Sequence, residues 1–164
     1  KNLSFVPQRR FYHEELAYNF RMTNIQAAIG LAQLERIEEH VNRKRRTGRL
    51  YTELLKDIPY LQLPIEKEWA KNIYWMYGVV LDEKRGITAE EFGKRLLEKG
   101  VQTRPFFLGI HEQPVFRKMG LFIGEHYPVA ARIAKQGLYL PSGLTLREEE
   151  IRETVNAIEM ILEK

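Results

Sequence analysis

From Thr23 to Lys56 the chain contains no proline, and its composition favours helix throughout. A continuous helix of that span would be roughly 50 Å long, at about 1.5 Å per residue. That exceeds the diameter of a small domain, so the helix either breaks near Gly48 or bridges two bodies of protein. Its start is marked by Thr23-Asn24-Ile25-Gln26. In this capping-box pattern the threonine hydroxyl accepts an orphan amide and the glutamine reaches back. Ile25, Ala28, Ile29, Ala32, Ile37 and Val41 recur at three- and four-residue steps, and Leu50, Leu54 and Ile58 resume a stripe further on. Asp57 and Pro59 end the pattern. The spacing therefore predicts one long helix over residues 23–57.

Shorter elements follow. Leu61–Leu63 reads as an edge strand before Pro64, and Ile73–Leu81 as the strongest strand, rich in aromatic and β-branched residues. Its nearly unbroken apolarity predicts that both faces are covered. Thr88-Ala89-Glu90-Glu91 is a second capping box, opening a helix that Gly100 stops in a left-handed turn. Val101–Arg104 reads as a strand halted by Pro105, and residues 105–126 as a loop-rich stretch. Pro128 suits the first turn of a helix that Gly137 closes, and Leu138–Leu140 reads as a strand. Thr145-Leu146-Arg147-Glu148 is a third capping box, opening a final helix striped by Ile151, Val155, Ile158 and Leu162. This order predicts an α/β (α+β) fold: a long N-terminal helix leads into a small domain of helices packed on a sheet of three or four strands. Three regions result: an irregular segment at 1–22 that would contact another domain or subunit, the connecting helix at 23–57, and a small α/β domain at 58–164.

The absence of cysteine excludes disulfides, iron–sulfur clusters, thiolate zinc sites and a cysteine nucleophile. With 29% charged residues, no apolar run approaches the roughly 20 residues that a membrane-spanning helix needs. No secretory signal pattern is visible, so the expected setting is soluble and cytoplasmic, away from membranes. The chain starts at Lys1 rather than methionine, which points to missing upstream sequence. Lysine and arginine total 26 against 22 acids, a net charge of +4. The basic cluster of Arg36, Arg43, Lys44, Arg45, Arg46 and Arg49 falls within the long helical pattern. It reads as a solvated face rather than a nucleic-acid surface.

His13, His40, His111 and His126 show no metal-motif spacing, so no metal site is expected. There is no phosphate loop and no dinucleotide glycine fingerprint. Ser4 and Ser142 are the serines, and Ser142 belongs to a Pro-Ser-Gly turn. No self-contained nucleophile–base–acid set is present.

Two segments are polar beyond what packing requires. Tyr12–Thr23 places Asn19 and Arg21 just before a helix N-terminus, where free amides and the helix dipole favour an anion. Alternatively, Asn19 satisfies a turn and Arg21 pairs with a surface acid. Gln102–Phe116 puts Arg104, Phe106, Phe107 and His111 after a strand end, a common way to build a pocket wall. Alternatively, its phenylalanines plug the core and its arginine is solvated.

The run from Tyr18 to Glu35, Tyr-Asn-Phe-Arg-Met-Thr-Asn-Ile-Gln-Ala-Ala-Ile-Gly-Leu-Ala-Gln-Leu-Glu, resembles a signature of the DegT/DnrJ/EryC1/StrS family. These are pyridoxal-phosphate-dependent sugar aminotransferases of fold type I. Arg10-Phe11-Tyr12-His13, Thr103–Phe107, His111–Pro114 and Leu138–Thr145 are similar to the perosamine-synthetase branch. The resemblance covers essentially the whole chain but only the C-terminal portion of such an enzyme. It implies that Asn19 reaches into a neighbouring subunit to bond the cofactor phosphate, with Arg21 supporting the same anion. It further implies that His13, Arg104, Phe106 and His111 line a nucleotide-sugar pocket, Arg104 meeting the diphosphate. Phe20 stands where the family often has tyrosine, and Ala17 where it often has glycine.

The family's Schiff-base lysine lies in a Ser-His-Lys context, which does not occur in these 164 residues. The implied function is therefore the C-terminal part of an enzyme that aminates a nucleotide-linked keto-deoxysugar from glutamate, inactive as this chain alone. The implied partners are a second copy of the chain and, in the complete enzyme, the sugar nucleotide and glutamate. The alternative is a non-catalytic remnant of the family that dimerises or binds a partner through the exposed helix.

Overall fold

The computed structural model describes residue 18, residues 20–162 and the backbone of residues 5–6 and 9–13. The chain divides into two compact units, residues 1–37 and 38–164. In the first unit β1 (Phe5–Val6) pairs antiparallel with β2 (Arg9–His13), with an irregularity in register. Helix α1 spans Asn24–Leu34. Its capping box forms as predicted: the Gln26 amide donates to Thr23 Oγ1 at 3.3 Å, and the Thr23 amide donates to Gln26 Oε1 at 2.9 Å. No residue of α1 is buried.

The helical run is broken at Glu35–Arg36 rather than near Gly48. There the Arg36 amide turns back to Gln33 O at 3.2 Å, a tightened last turn in place of the regular ladder. Helix α2 (Ile37–Leu55) then continues through Gly48 without interruption. Gly48 is there for space: a Cβ would lie 2.4 Å from Cγ of Tyr74.

The second unit is built on a four-stranded antiparallel sheet, ordered β3-β4-β6-β5. Its strands are β3 (Leu61–Gln62), β4 (Tyr77–Leu81), β5 (Arg104–Pro105) and β6 (Gly137–Leu140). The helices joining and flanking them are α3 (Ala89–Glu98), α4 (Pro114–Lys118), α5 (Pro128–Gln136) and α6 (Glu148–Leu162). The register places Tyr77 opposite Leu140 and Val79 opposite Leu138. Cross-strand partners share a face, so these four residues form the core side of the sheet. They pack with Tyr51 and Leu55 of α2, Phe92 and Leu96 of α3, and Ile151, Val155 and Ile158 of α6.

Several terminal signals hold locally. Gly100 takes φ +82, and the Val101 amide reaches Leu96 O at 2.9 Å, completing a Schellman stop. Thr88 caps α3 through the Glu91 amide at 3.2 Å, and Pro128 occupies the first turn of α5. Three expectations need correction. The strand expected at Ile73–Leu81 begins only at Tyr77, because Tyr74 adopts φ 51 and leaves Ile73 and Trp75 exposed. Pro105 is paired within the sheet opposite Leu138 rather than ending the strand before it; it tolerates this because β5 is an edge strand. The last helix starts at Glu148 instead of following Thr145, and Glu150 folds back to accept from the Arg147 amide at 2.8 Å.

The basic cluster of α2 is not uniformly solvated. Lys44 donates to Trp75 O at 2.7 Å and to Ser142 O, and burial lowers the pKa of its ammonium. Arg45 pairs with Glu66 at 2.9 Å and donates to Asn72 O. That hydrogen bond with Arg45 holds the Glu66 carboxyl below its ordinary value. Together the two side chains fasten α2 to the segment before β4 and to the turn after β6.

Candidate functional site

The side of the sheet opposite the core carries the second polar segment. Arg104 faces Tyr139 across the β5–β6 ladder, and Tyr139 in turn faces Gly78 across β6–β4. By strand alternation, Arg104, Phe106, Gly137, Tyr139 and Gly78 all share this outer face. The Phe106 amide extends the ladder to Gly137 O at 3.2 Å. Its ring stacks on Tyr139 with centroids 4.3 Å apart, and Phe107 tilts against the same tyrosine at 6.0 Å. Arg104 is exposed. The result is an aromatic floor with a guanidinium at its edge, chemistry suited to a planar ring carrying phosphate.

His111 comes later in the same connection, within a short 3-10 turn over Ile110–Glu112. Its ring sits 4.8 Å from that of Tyr127, and its carbonyl accepts from Arg117 Nε at 3.1 Å. The local fold thus fixes the histidine by an aromatic contact and a backbone bond. Neither engages its ring nitrogens.

The other predicted residues belong to the first unit. Asn19 lies outside the described residues, and His13 is described only as backbone, in β2. Arg21 is exposed, two residues before the Thr23 cap. The capping box occupies the Thr23 and Gln26 amides, so those of Asn24 and Ile25 have no acceptor within α1. Two first-turn amides, with Arg21 two residues before the cap, fit a phosphate monoester in donor chemistry. They offer nothing that would bind an aldehyde covalently.

Sequence reasoning missed Tyr139, Gly78 and Gly137 as parts of this site. Tyr139 was legible as a strand residue, but its stacking depends on a segment over thirty positions away. A groove of about 660 Å³ between α2 and the start of α6 is lined by Arg43, Arg46 and Arg147 together with Glu148 and Glu149. A cavity of about 730 Å³ runs along α3 and α5 past Gln102, Thr103 and Pro105. Neither includes Arg104, Phe106 or His111. Among the described residues no group of three or more histidines and acids is placed to hold a metal, and no helix is long and apolar enough to cross a membrane.

Comparison with known proteins bears on the whole chain. Residues 1–159 match the family model described as the DegT/DnrJ/EryC1/StrS aminotransferase family. The GDP-perosamine synthase of Vibrio cholerae is 30% identical over 158 residues, covering 96% of this chain and 42% of that protein. The GDP-perosamine synthase of Caulobacter vibrioides is 32% identical over 162 residues, covering 95% and 42%. Among solved structures, Helicobacter pylori PseC, an aminotransferase involved in the biosynthesis of pseudoaminic acid, superposes with a TM-score of 0.80 at 20% identity. That superposition covers 94% of this chain and 42% of the other, and it establishes likeness of fold. The chain therefore spans about two fifths of the length of the curated relatives it matches.

Proposed function

Because this chain belongs to the DegT/DnrJ/EryC1/StrS aminotransferase family, we propose that it forms the C-terminal portion of a pyridoxal-phosphate-dependent enzyme. That enzyme aminates a nucleotide-linked keto-deoxysugar of the perosamine type, with glutamate as amino donor, in the biosynthesis of polysaccharide sugars. The observation that carries the reading is the outer face of the sheet, where Arg104 stands beside the Phe106–Tyr139 stack. Arg104 neutralises the diphosphate, while Phe106 and Tyr139 give a flat apolar surface to the nucleotide. His111 lines the same pocket further along the connection.

Asn19 and Arg21 hold the cofactor phosphate at the N-terminus of α1, in the active site of a second copy of the chain. The cofactor, when bound, supplies the electron sink for amino transfer. The lysine that attaches it belongs to the rest of the enzyme, so these 164 residues alone are inactive. The exposed, apolar α1 favours a second element of the reading: the helix is covered by the large domain and by a partner subunit, and the isolated chain self-associates.

Titration of GDP into the isotopically labelled chain tests the site. Resonances of residues 104–107 and 137–139 are expected to shift saturably, and Arg104→Gln to weaken binding at least tenfold. A wild-type spectrum indifferent to GDP would overturn the nucleotide reading.

A further inference from the structure

Gly78 lies in the interior of β4, a position where glycine weakens a strand and where its special backbone freedom is not used. Its φ is not positive, unlike those of Gly86, Gly100, Gly120 and Gly124. The reason for glycine is therefore space on the outer face. A Cβ at position 78 would lie 2.6 Å from Phe106 Cζ and 2.9 Å from Cε1, with Tyr139 Cε1 at 3.4 Å. Gly137, on the neighbouring strand, is bare beneath the other end of the same ring: its Cβ would lie 2.3 Å from Phe106 Cδ2. Together the two glycines form a slot across β6 and β4 in which one ring lies flat.

The slot reaches beyond the ring itself. Arg104 and Phe106 are two residues apart on the same face of the edge strand, and Pro105 between them is paired with Leu138. Seating Phe106 draws the chain after β5 back over the sheet. The guanidinium then projects from a segment anchored on both sides, by the ladder to β6 and by the ring in the slot. If the outer face needed only an apolar cover, a β-branched side chain at position 78 would supply it from the strand, with no loop residue required.

We propose that Gly78 is a positioning residue for the nucleotide-sugar pocket: by leaving the outer face of β4 bare it seats Phe106 and fixes where Arg104 presents its charge. The inference rests on the reading of Arg104 and Phe106 as nucleotide-binding residues. Gly137 contributes to the slot but is a poor probe, because its Cβ would also meet the Ile133 carbonyl at 2.6 Å. Gly78 has no such second obstacle.

The test is a mutant cycle of Gly78→Ala and Phe106→Leu, read by GDP titration and by the α-proton shifts of Gly78. Leucine lacks Cζ and Cε1, the two atoms that an alanine at 78 would strike. In the wild type the ring should shift the Gly78 α-protons upfield, and Phe106→Leu should abolish this. Gly78→Ala should weaken GDP at least tenfold, and adding Phe106→Leu to it should restore affinity to that of Phe106→Leu alone. Wild-type affinity in Gly78→Ala would overturn the proposal, as would a double variant no better than Gly78→Ala. If Gly78→Ala fails to fold, a folded double variant that binds like Phe106→Leu supports the proposal, and an unfolded one refutes it. Upfield-shifted α-protons without any GDP binding in the wild type would show that the slot exists while the nucleotide reading, and the positioning role with it, fails.

Discussion

Helices α1 and α2 follow each other along the chain with only Glu35 and Arg36 between them, yet they solve different problems. Helix α2 is polar on most of its surface and buries one face, turning Gly48, Tyr51 and Leu55 inward. Helix α1 is rich in Ile, Leu and Ala all round and buries nothing: Ile25, Ile29 and Leu34 are 74%, 61% and 65% exposed. A helix with one apolar stripe is satisfied by one neighbour, whereas one apolar on every side needs cover on every side. The second unit thus carries its own buried core, whereas α1 has none.

The comparison can be broken most forcefully at the core. Phe92 is fully buried, and Phe92→Ala should cost about 3–5 kcal/mol by chemical denaturation. Alkaline pH should come next. Burial pushes the phenols of Tyr51 and Tyr77 up to about 12. In the fold Tyr51 donates to Pro141 O at 2.9 Å, and Tyr77 bonds Thr52 Oγ1 at 2.8 Å. The unfolded phenols ionise near 10, so from there to about 12 the unfolded state binds fewer protons and stability must fall as pH rises. Tyr51→Phe with Tyr77→Phe should flatten that fall in thermal melts. Gly48→Ala should destabilise by about 1–3 kcal/mol despite alanine's better helix propensity, because the new methyl meets the Tyr74 ring. Ile29→Ala, on α1, should leave stability within about 0.5 kcal/mol while lowering self-association in sedimentation. A large loss of stability from Ile29→Ala would erase the contrast between the two helices.

What could be read beforehand follows the same division between local and distant causes. The Thr23 box, the Gly100 stop and Pro128 at a first turn are decided within a few residues, and all three stand as read. The break after Leu34 contains neither glycine nor proline, so composition carried no sign of it. Lys44 and Arg45 looked like solvated charge because their acceptors, Trp75 O, Ser142 O, Asn72 O and Glu66, come from segments far along the chain. The same limit hid the slot for Phe106. A glycine in a strand can be noticed in the sequence, but the ring that requires it arrives through the fold. Arg104 and Phe106 were legible as candidate pocket residues because an arginine and aromatics follow a strand end, but their shared face came only with the fold, which pairs Pro105 within the sheet where the sequence ended the strand.

We propose that this chain carries the clasp for a cofactor phosphate without the lysine that attaches the cofactor. Incubation with pyridoxal phosphate, borohydride reduction and peptide mass spectrometry test it directly. The account predicts only scattered, substoichiometric adducts across the surface lysines. A stoichiometric adduct at one lysine, with an absorbance band that vanishes on reduction, would contradict it.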